Sequence, residues 1–180
     1  MKICIVRHGQ TDYNKNHLYQ GRSDIELNKT GIEQAKETSD KLSEMHFDKI
    51  IVSPMKRTLK TAEIINKNHN IVIEKEEAIL ERGLGKLEGE KSGKVDFKIY
   101  WDREKNLGDF EIEPINAFFE RVYKFYDKLI NEYKDKDINI LIITHNGVQI
   151  ATNTYFNKYD KNVDLLSLGV NTCEYREYII

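Results

Sequence analysis

The sequence predicts an α/β fold, a three-layer α/β/α arrangement around a mostly parallel central sheet. Three observations predict it. Short apolar runs alternate along the chain with segments of helical period. The run Ile138–Ile143 is nearly all apolar, the pattern of a central strand covered on both faces. The segment from Ile115 carries Phe118, Phe119, Val122, Phe125, Tyr126, Leu129, Ile130 and Tyr133 at the spacing of one long amphipathic helix.

The elements follow in order. Ile3–Val6 reads as a buried strand, and a polar stretch runs from Arg7 to Lys29. Thr30 is placed as a helix N-cap, with Glu33 completing a capping box and Ile32, Ala35, Leu42 and Met45 on one face. Lys49–Val52 is a second strand. Ser53-Pro54 then offers a capping hydroxyl followed by a proline where no amide donor is needed, and Leu59, Ala62 and Ile64 or Ile65 continue the helical pattern. Ile71–Ile73 is a third strand. Residues 81–113 hold glycines, Phe97, Tyr100 and Trp101 without a sustained period. They read as a loop-rich excursion, lid-like over 86–113, with Tyr100 and Trp101 either lining a lid or packing the excursion. A last helix begins near Asn146, and Glu174–Ile180 closes the sheet as an edge strand.

The 180 residues suit one domain spanning 1–180. A net charge of -2 gives no whole-protein attraction to nucleic acid or an anionic membrane, so any anion site is local and built from a few placed cations. Cys4 and Cys173 form no CxxC pair and read as reduced, packed thiols, with a single bridge as the alternative. The first apolar run is too short for a signal peptide or a membrane span, which leaves a cytoplasmic location as the default. No pattern in the sequence sets the oligomeric state.

In sheets of this kind ligands gather beyond the carboxyl ends of the strands. Arg7-His8-Gly9-Gln10-Thr11 follows the first strand, Ser53-Pro54 with Arg57 the second, and Thr144-His145-Asn146-Gly147 the buried central one. If these strands are parallel neighbours, two arginines and two histidines meet at one mouth, and Glu81 reaches it from beyond the third strand. Guanidinium forks match phosphate oxygens and stay charged. A neutral imidazole is a competent nucleophile, and nearby arginines keep it unprotonated. Gly9 allows close backbone approach beside His8, and the helix starts near Ser53 and Asn146 offer amides to an anion. A carboxyl group there can protonate a leaving oxygen. Glu88 is the alternative to Glu81. Asn14 is either a ligand or a turn former, and Arg22 and Asp24 pair with each other in the purely structural reading. A zinc site on His8 and His145 lacks a third ligand at suitable spacing, and His17, His46 and His69 read as surface or boundary residues.

Arg7-His8-Gly9-Gln10-Thr11 resembles the signature of the histidine phosphatase superfamily, also called the phosphoglycerate mutase-like family. Gln20-Gly21-Arg22-Ser23-Asp24, Ser53-Pro54 with Arg57-Thr58 and Thr61-Ala62, Leu80-Glu81-Arg82 with Gly85 and Leu87-Glu88-Gly89, and Thr144-His145-Asn146-Gly147 resemble its further blocks, in order. The resemblance implies a phosphoglycerate mutase-like fold and a metal-independent phosphatase without a cofactor. His8 would become phosphohistidine, Arg7, Arg57 and His145 would hold the phosphoryl oxygens, and Glu81 would serve as acid and then base. Asn14, Gln20, Gly21, Arg22, Asn146 and Gly147 are carried over as substrate-binding positions, and the partner implied is a phosphorylated small molecule. Thr58 is a small departure from the family's second block. The long insertions of the glycolytic mutases are absent, which favours the shorter phosphatase branch. A phosphoglycerate mutase and a non-catalytic phosphate-sensing module remain the alternatives. Sugar phosphates, phosphoglycerate, nucleotide-loop precursors and phosphoserine all stay open as substrates.

Overall fold

The computed structural model describes residues 1–96, 100–102, 110–159 and 163–180. Its centre is a five-stranded sheet in the order β3-β2-β4-β1-β5. β1 (Lys2–Arg7), β2 (Lys49–Val52), β3 (Ile73–Lys75) and β4 (Asn139–Thr144) run parallel, and β5 (Tyr175–Ile179) pairs antiparallel with β1 at one edge. The sheet is therefore mixed and mostly parallel, as the alternation of elements requires.

Period-two alternation sorts the strand side chains onto two faces. Cys4, Val6, Ile50, Val52, Leu141 and Ile143 pack with Leu42, Ala62 and Ile65, which come from α2 (Lys29–Leu42) and α3 (Lys56–Ile65). Ile3, Ile5, Ile51, Ile140 and Ile142 turn the other way. They pack with Phe118, Val122, Tyr126 and Val148 from α4 (Ile115–Tyr133) and α5 (Asn146–Asn157). β4 is covered on both faces, which explains its unbroken apolar run. A short helix, α1 (Asp12–Lys15), follows β1. Among the described residues no helix is long and apolar enough to cross a membrane. Both cysteines are free and buried, and burial pushes each thiol up to about 12.

Three boundaries differ from the sequence reading, each for a local hydrogen-bonding reason. α2 is capped by Asn28, not Thr30. Asn28 Oδ1 accepts from the Gly31 amide at 2.9 Å, and Asn28 is itself tied to Gln10 by its amide and its side chain. α3 starts at Lys56 with no side-chain cap, leaving Ser53 and Pro54 outside it. The Ser53 hydroxyl is taken by His145, and the Ser53 carbonyl accepts from the Met55 amide and the Thr58 hydroxyl. β3 begins at Ile73 because the Asn66 side chain bonds both the amide (2.9 Å) and the carbonyl (2.7 Å) of Ile71, while Val72 is 80% exposed.

Within the excursion, 97–99 and 103–109 lie outside the described residues. The described residues around them pack inwards. Tyr100 is buried with Tyr19, Leu84, Leu87, Val95 and Ile112, and Trp101 lies against this cluster. The Arg82 guanidinium sits 4.7 Å over the Tyr100 ring and donates to the Tyr100 carbonyl at 2.6 Å.

Candidate active site

Strand register brings the candidate residues to one rim. Arg7 pairs with Thr144 and Val52 with Ile143, so His8 and His145 follow their strands at the same level and Ser53 follows its strand one residue short of it, beside Thr144. The ladder continues one step further, with the His8 amide on the Thr144 carbonyl at 2.9 Å and the Ser53 amide on the Ile143 carbonyl at 3.1 Å. The two imidazoles meet edge to face with ring centroids 5.3 Å apart. Gly9 is required by its neighbours, because a Cβ there would stand 2.4 Å from the Gly31 carbonyl oxygen.

Both rings are fully buried and their protonation pattern follows from their partners. His8 Nδ1 lies 2.7 Å from the Gly9 carbonyl oxygen. A carbonyl only accepts, so Nδ1 carries the proton and Nε2 keeps its lone pair. The Nε2 side is met by the Gln20 amide at 3.5 Å. Burial, then the charges of Arg57 and Arg7, hold His8 well below its ordinary value of 6.5, and it is neutral at pH 7. His145 is held down in the same way, by burial and then by Arg57. Arg57 Nε, which can only donate, is 3.3 Å from His145 Nδ1, so Nε2 of this ring bears the proton and donates to Ser53 Oγ at 2.7 Å.

Arg57 is 0% exposed. Its Nη1 and Nη2 donate to the carbonyls of Ser23 and Gly21, both at 2.8 Å, and so fix the 21–23 turn against α3. Burial lowers it to about 10, opposed by Glu81, and it remains a cation at neutral pH. Arg7 donates through Nη1 to the Val170 carbonyl at 2.7 Å, while its Nε is buried with no partner among the described residues. Asn146 stands behind this contact: its Oδ1 accepts from the Val170 amide at 2.9 Å. The amide of Gly147 is taken by Glu81 Oε2 at 3.1 Å, so at this helix start a first-turn donor faces a side chain of the protein itself. Asn14 completes a capping box with Thr11 at α1, and the Thr11 hydroxyl lies between Asn14 Oδ1 and Gln20 Oε1. Asn14 thus connects to His8 through Thr11 and Gln20.

The carboxyl candidates separate by their contacts. Glu81 lies with Oε1 on the Arg82 amide (2.9 Å) and Oε2 on Gly147, beside the His145 helix start. A Cβ at Gly147 would be 2.2 Å from Glu81 Oε1, so only glycine leaves room for that carboxylate. Glu88 instead accepts from the Arg22 amide (2.9 Å), the Ser23 hydroxyl (2.8 Å) and the Leu84 amide (3.1 Å), which makes it the latch of the 21–23 turn. Arg22 does not pair with Asp24. It reaches Glu113 at 3.2 Å, and Asp24 accepts from the Lys56 amide at 2.8 Å. The sequence reading gave no role to Glu113 or Arg121, and named Arg82 only as part of the block that carries Glu81. Glu113 and Arg121 belong to no strand end, and only the tertiary fold brings them beside the Glu81 segment.

The family model of the histidine phosphatase superfamily (branch 1) matches residues 3–176. The chain belongs to this superfamily. Relatives in it include the uncharacterized phosphatase PhoE of Bacillus subtilis (strain 168), 32% identical over 175 residues, covering 95% of this chain and 84% of that one. A 2,3-bisphosphoglycerate-dependent phosphoglycerate mutase of Cytophaga hutchinsonii is 32% identical over 151 residues, covering 79% and 71%. In fold the chain matches a mycobacterial glucosyl-3-phosphoglycerate phosphatase solved with VO3, with a TM-score of 0.83 at 20% identity over 98% of this chain and 90% of that one. Superfamily and relatives together make this a phosphatase or phosphoglycerate mutase-like enzyme.

Proposed function

We propose that the protein is a phosphomonoesterase for a small phosphorylated metabolite, working through phosphohistidine at His8 without a metal ion. The observation that carries this reading is the neutral His8 ring, its Nδ1 proton committed to Gly9 and its Nε2 lone pair left on the Gln20 side, with the charges of Arg57 and Arg7 acting on the ring. Nε2 attacks phosphorus as the ester P–O bond breaks. Arg7 and Arg57 stabilise the charge spread over the equatorial oxygens, the task that fixed cations perform in phosphoryl transfer. The buried Nε of Arg7, without a partner among the described residues, is a donor ready for such an oxygen. Glu81 gives a proton to the leaving alkoxide, then takes one from the water that attacks phosphohistidine and restores His8. His145 orients Arg57 through Nδ1 and lines the same rim. The three contacts on Glu88 support Glu81 as the acid, because Glu88 is spent on the turn.

The test is hydrolysis of an aryl phosphate in excess EDTA by wild type and His8→Ala side by side. EDTA-resistant phosphate release that vanishes in His8→Ala is expected, and activity surviving in the variant overturns the reading. The Cytophaga hutchinsonii relative favours a second reading, phosphoglycerate mutase. That reading predicts transfer of the phosphoryl group to phosphoglycerate in preference to water and dependence on a bisphosphorylated primer.

A further inference from the structure

We infer that Arg121, on α4, is the positioning residue for the Glu81 carboxyl group, acting with Glu113; this rests on Glu81 being the acid proposed above. The segment that carries Glu81 lies between a single 3₁₀ turn (Glu77–Ile79) and another at Gly85–Leu87, so no strand ladder or long helix fixes it. Its carbonyls are gripped by side chains instead. Arg121 Nη1 donates to the Ala78 carbonyl at 2.8 Å and Nη2 to the Glu81 carbonyl at 3.0 Å. Thr144 Oγ1 holds the Ile79 carbonyl between them at 2.8 Å, and Arg22 Nε adds a second donor to Glu81 at 3.2 Å.

The guanidinium is itself held on three sides. Glu113 takes Nε at 2.7 Å and Nη2 at 3.0 Å in a forked pair, and the two side chains are only 21% and 17% exposed. Glu113 also accepts from the Gly83 amide at 3.0 Å, so the pair grips the loop on both sides of Glu81. Burial pushes the Glu113 carboxyl up, but the hydrogen bond and charge of Arg121, the Gly83 amide and Arg22 outweigh it and keep it ionised. Beneath, the Phe118 ring lies 4.8 Å from the Arg121 guanidinium, and the same ring would be 3.2 Å from a Cβ at Gly147. One buried ring on α4 thus supports both the guanidinium and the glycine whose amide receives the Glu81 carboxylate. A planar fork reaching two carbonyls and a carboxylate at once is a geometry lysine cannot reproduce.

A proton donor displaced by about 1 Å loses on the order of 10²-fold in rate. In the transfer to His8, the loss falls only where the leaving group needs a proton. An alkoxide leaving group requires protonation, whereas nitrophenolate departs without it. The experiment is therefore single-turnover release of the leaving alcohol or phenol, with enzyme in excess so that only transfer to His8 is read, from p-nitrophenyl phosphate and glycerol 2-phosphate by wild type, Arg121→Met, Arg121→Lys, Glu113→Gln and Glu81→Gln. Arg121→Met is expected to lose roughly 10²-fold on glycerol phosphate and less than about threefold on nitrophenyl phosphate, with Arg121→Lys between it and wild type. If Arg121→Met does not fold, Arg121→Lys and Glu113→Gln carry the comparison, with the ratio of the two substrates shifting by about tenfold. Equal losses on both substrates, or no loss on either, overturn the inference. A Glu81→Gln variant indifferent to the leaving group instead overturns the assignment of the acid, a result separate from the behaviour of Arg121.

Discussion

The two halves of the site are built differently. The half that carries the proposed nucleophile hangs on the sheet: His8, Ser53 and His145 follow three hydrogen-bonded parallel strands, and their spacing is set by backbone register. The half that carries the proposed acid hangs on side chains. Glu81 is placed by Gly147 and Arg82 amides, its carbonyl by Arg22 and Arg121, and its neighbours by Glu113 and Thr144. Ladders are cooperative and tolerate single substitutions around them. A set of guanidinium-to-carbonyl contacts is a list of separate attachments, each removable by one mutation. The nucleophile half should therefore fail only when its reacting groups are removed, and the acid half should fail by degrees.

Removing the nucleophile is the largest break. His8→Ala should lower kcat/KM for any phosphomonoester by at least about 10⁴-fold, since the two-step path is gone. Melting temperature measured alongside should stay close to wild type near neutral pH, where the neutral buried ring carries no charge to lose.

Arg57→Lys comes next. Arg57 contacts Gly21, Ser23 and His145 together and stands beside His8, and lysine replaces the fork with one point charge. Steady-state kinetics should show a fall of roughly 10²–10³-fold in kcat/KM. A variant within a factor of two of wild type would show that the guanidinium serves only the 21–23 turn.

Acid stability separates the halves thermodynamically. Both buried histidines have folded-state values below their ordinary 6.5. At lower pH the unfolded chain binds protons that the folded chain refuses, so stability is complete above about 6.5 and is lost as pH falls from there towards the depressed values. Each ring contributes about 1.4 kcal/mol per pH unit in that window. Urea midpoints taken between about pH 7.5 and pH 5 should fall in wild type and fall less steeply in His8→Asn, with His145 and the also-lowered His69 contributing the remainder. A flat wild-type profile would contradict the neutral-ring assignment.

The smallest effect belongs to the latch. Glu88→Gln keeps an acceptor for the Arg22 and Leu84 amides but loses the charge, and kcat/KM should fall by no more than about tenfold on either class of leaving group. A loss confined to alkyl phosphates would move the acid role from Glu81 to Glu88.

The same division decides what the sequence made legible. Apolar runs located β1, β2 and β4, and the positions just after them, with Arg57 one helical turn beyond β2, are the candidates the structure brings to one rim. The edge strand β3 was displaced by two residues because the Asn66 side chain occupies the backbone of Ile71, a contact with no hydrophobic signature. Thr30 and Asn28 are both capping residues, and the choice between them was made by Gln10, eighteen positions from Asn28. Ser53 looked like a cap and serves His145. Arg121 was hidden on the polar side of a helix whose apolar face drew all the notice. Its partners Ala78, Glu81 and Glu113 are distant in sequence or fall in a stretch without period. Side chain to backbone contacts of this kind leave no spacing rule to read.

The central claim is the covalent intermediate at His8, and rapid-quench trapping tests it most directly. Wild-type protein mixed with ³²P-labelled aryl phosphate and quenched in base within the first turnover should carry acid-labile, base-stable label on the peptide containing His8. The label should form no more slowly than phosphate appears, and Arg7 and Arg57 should stand beside it unmodified. Turnover of the ester with no label on that peptide, at any quench time, would contradict the account.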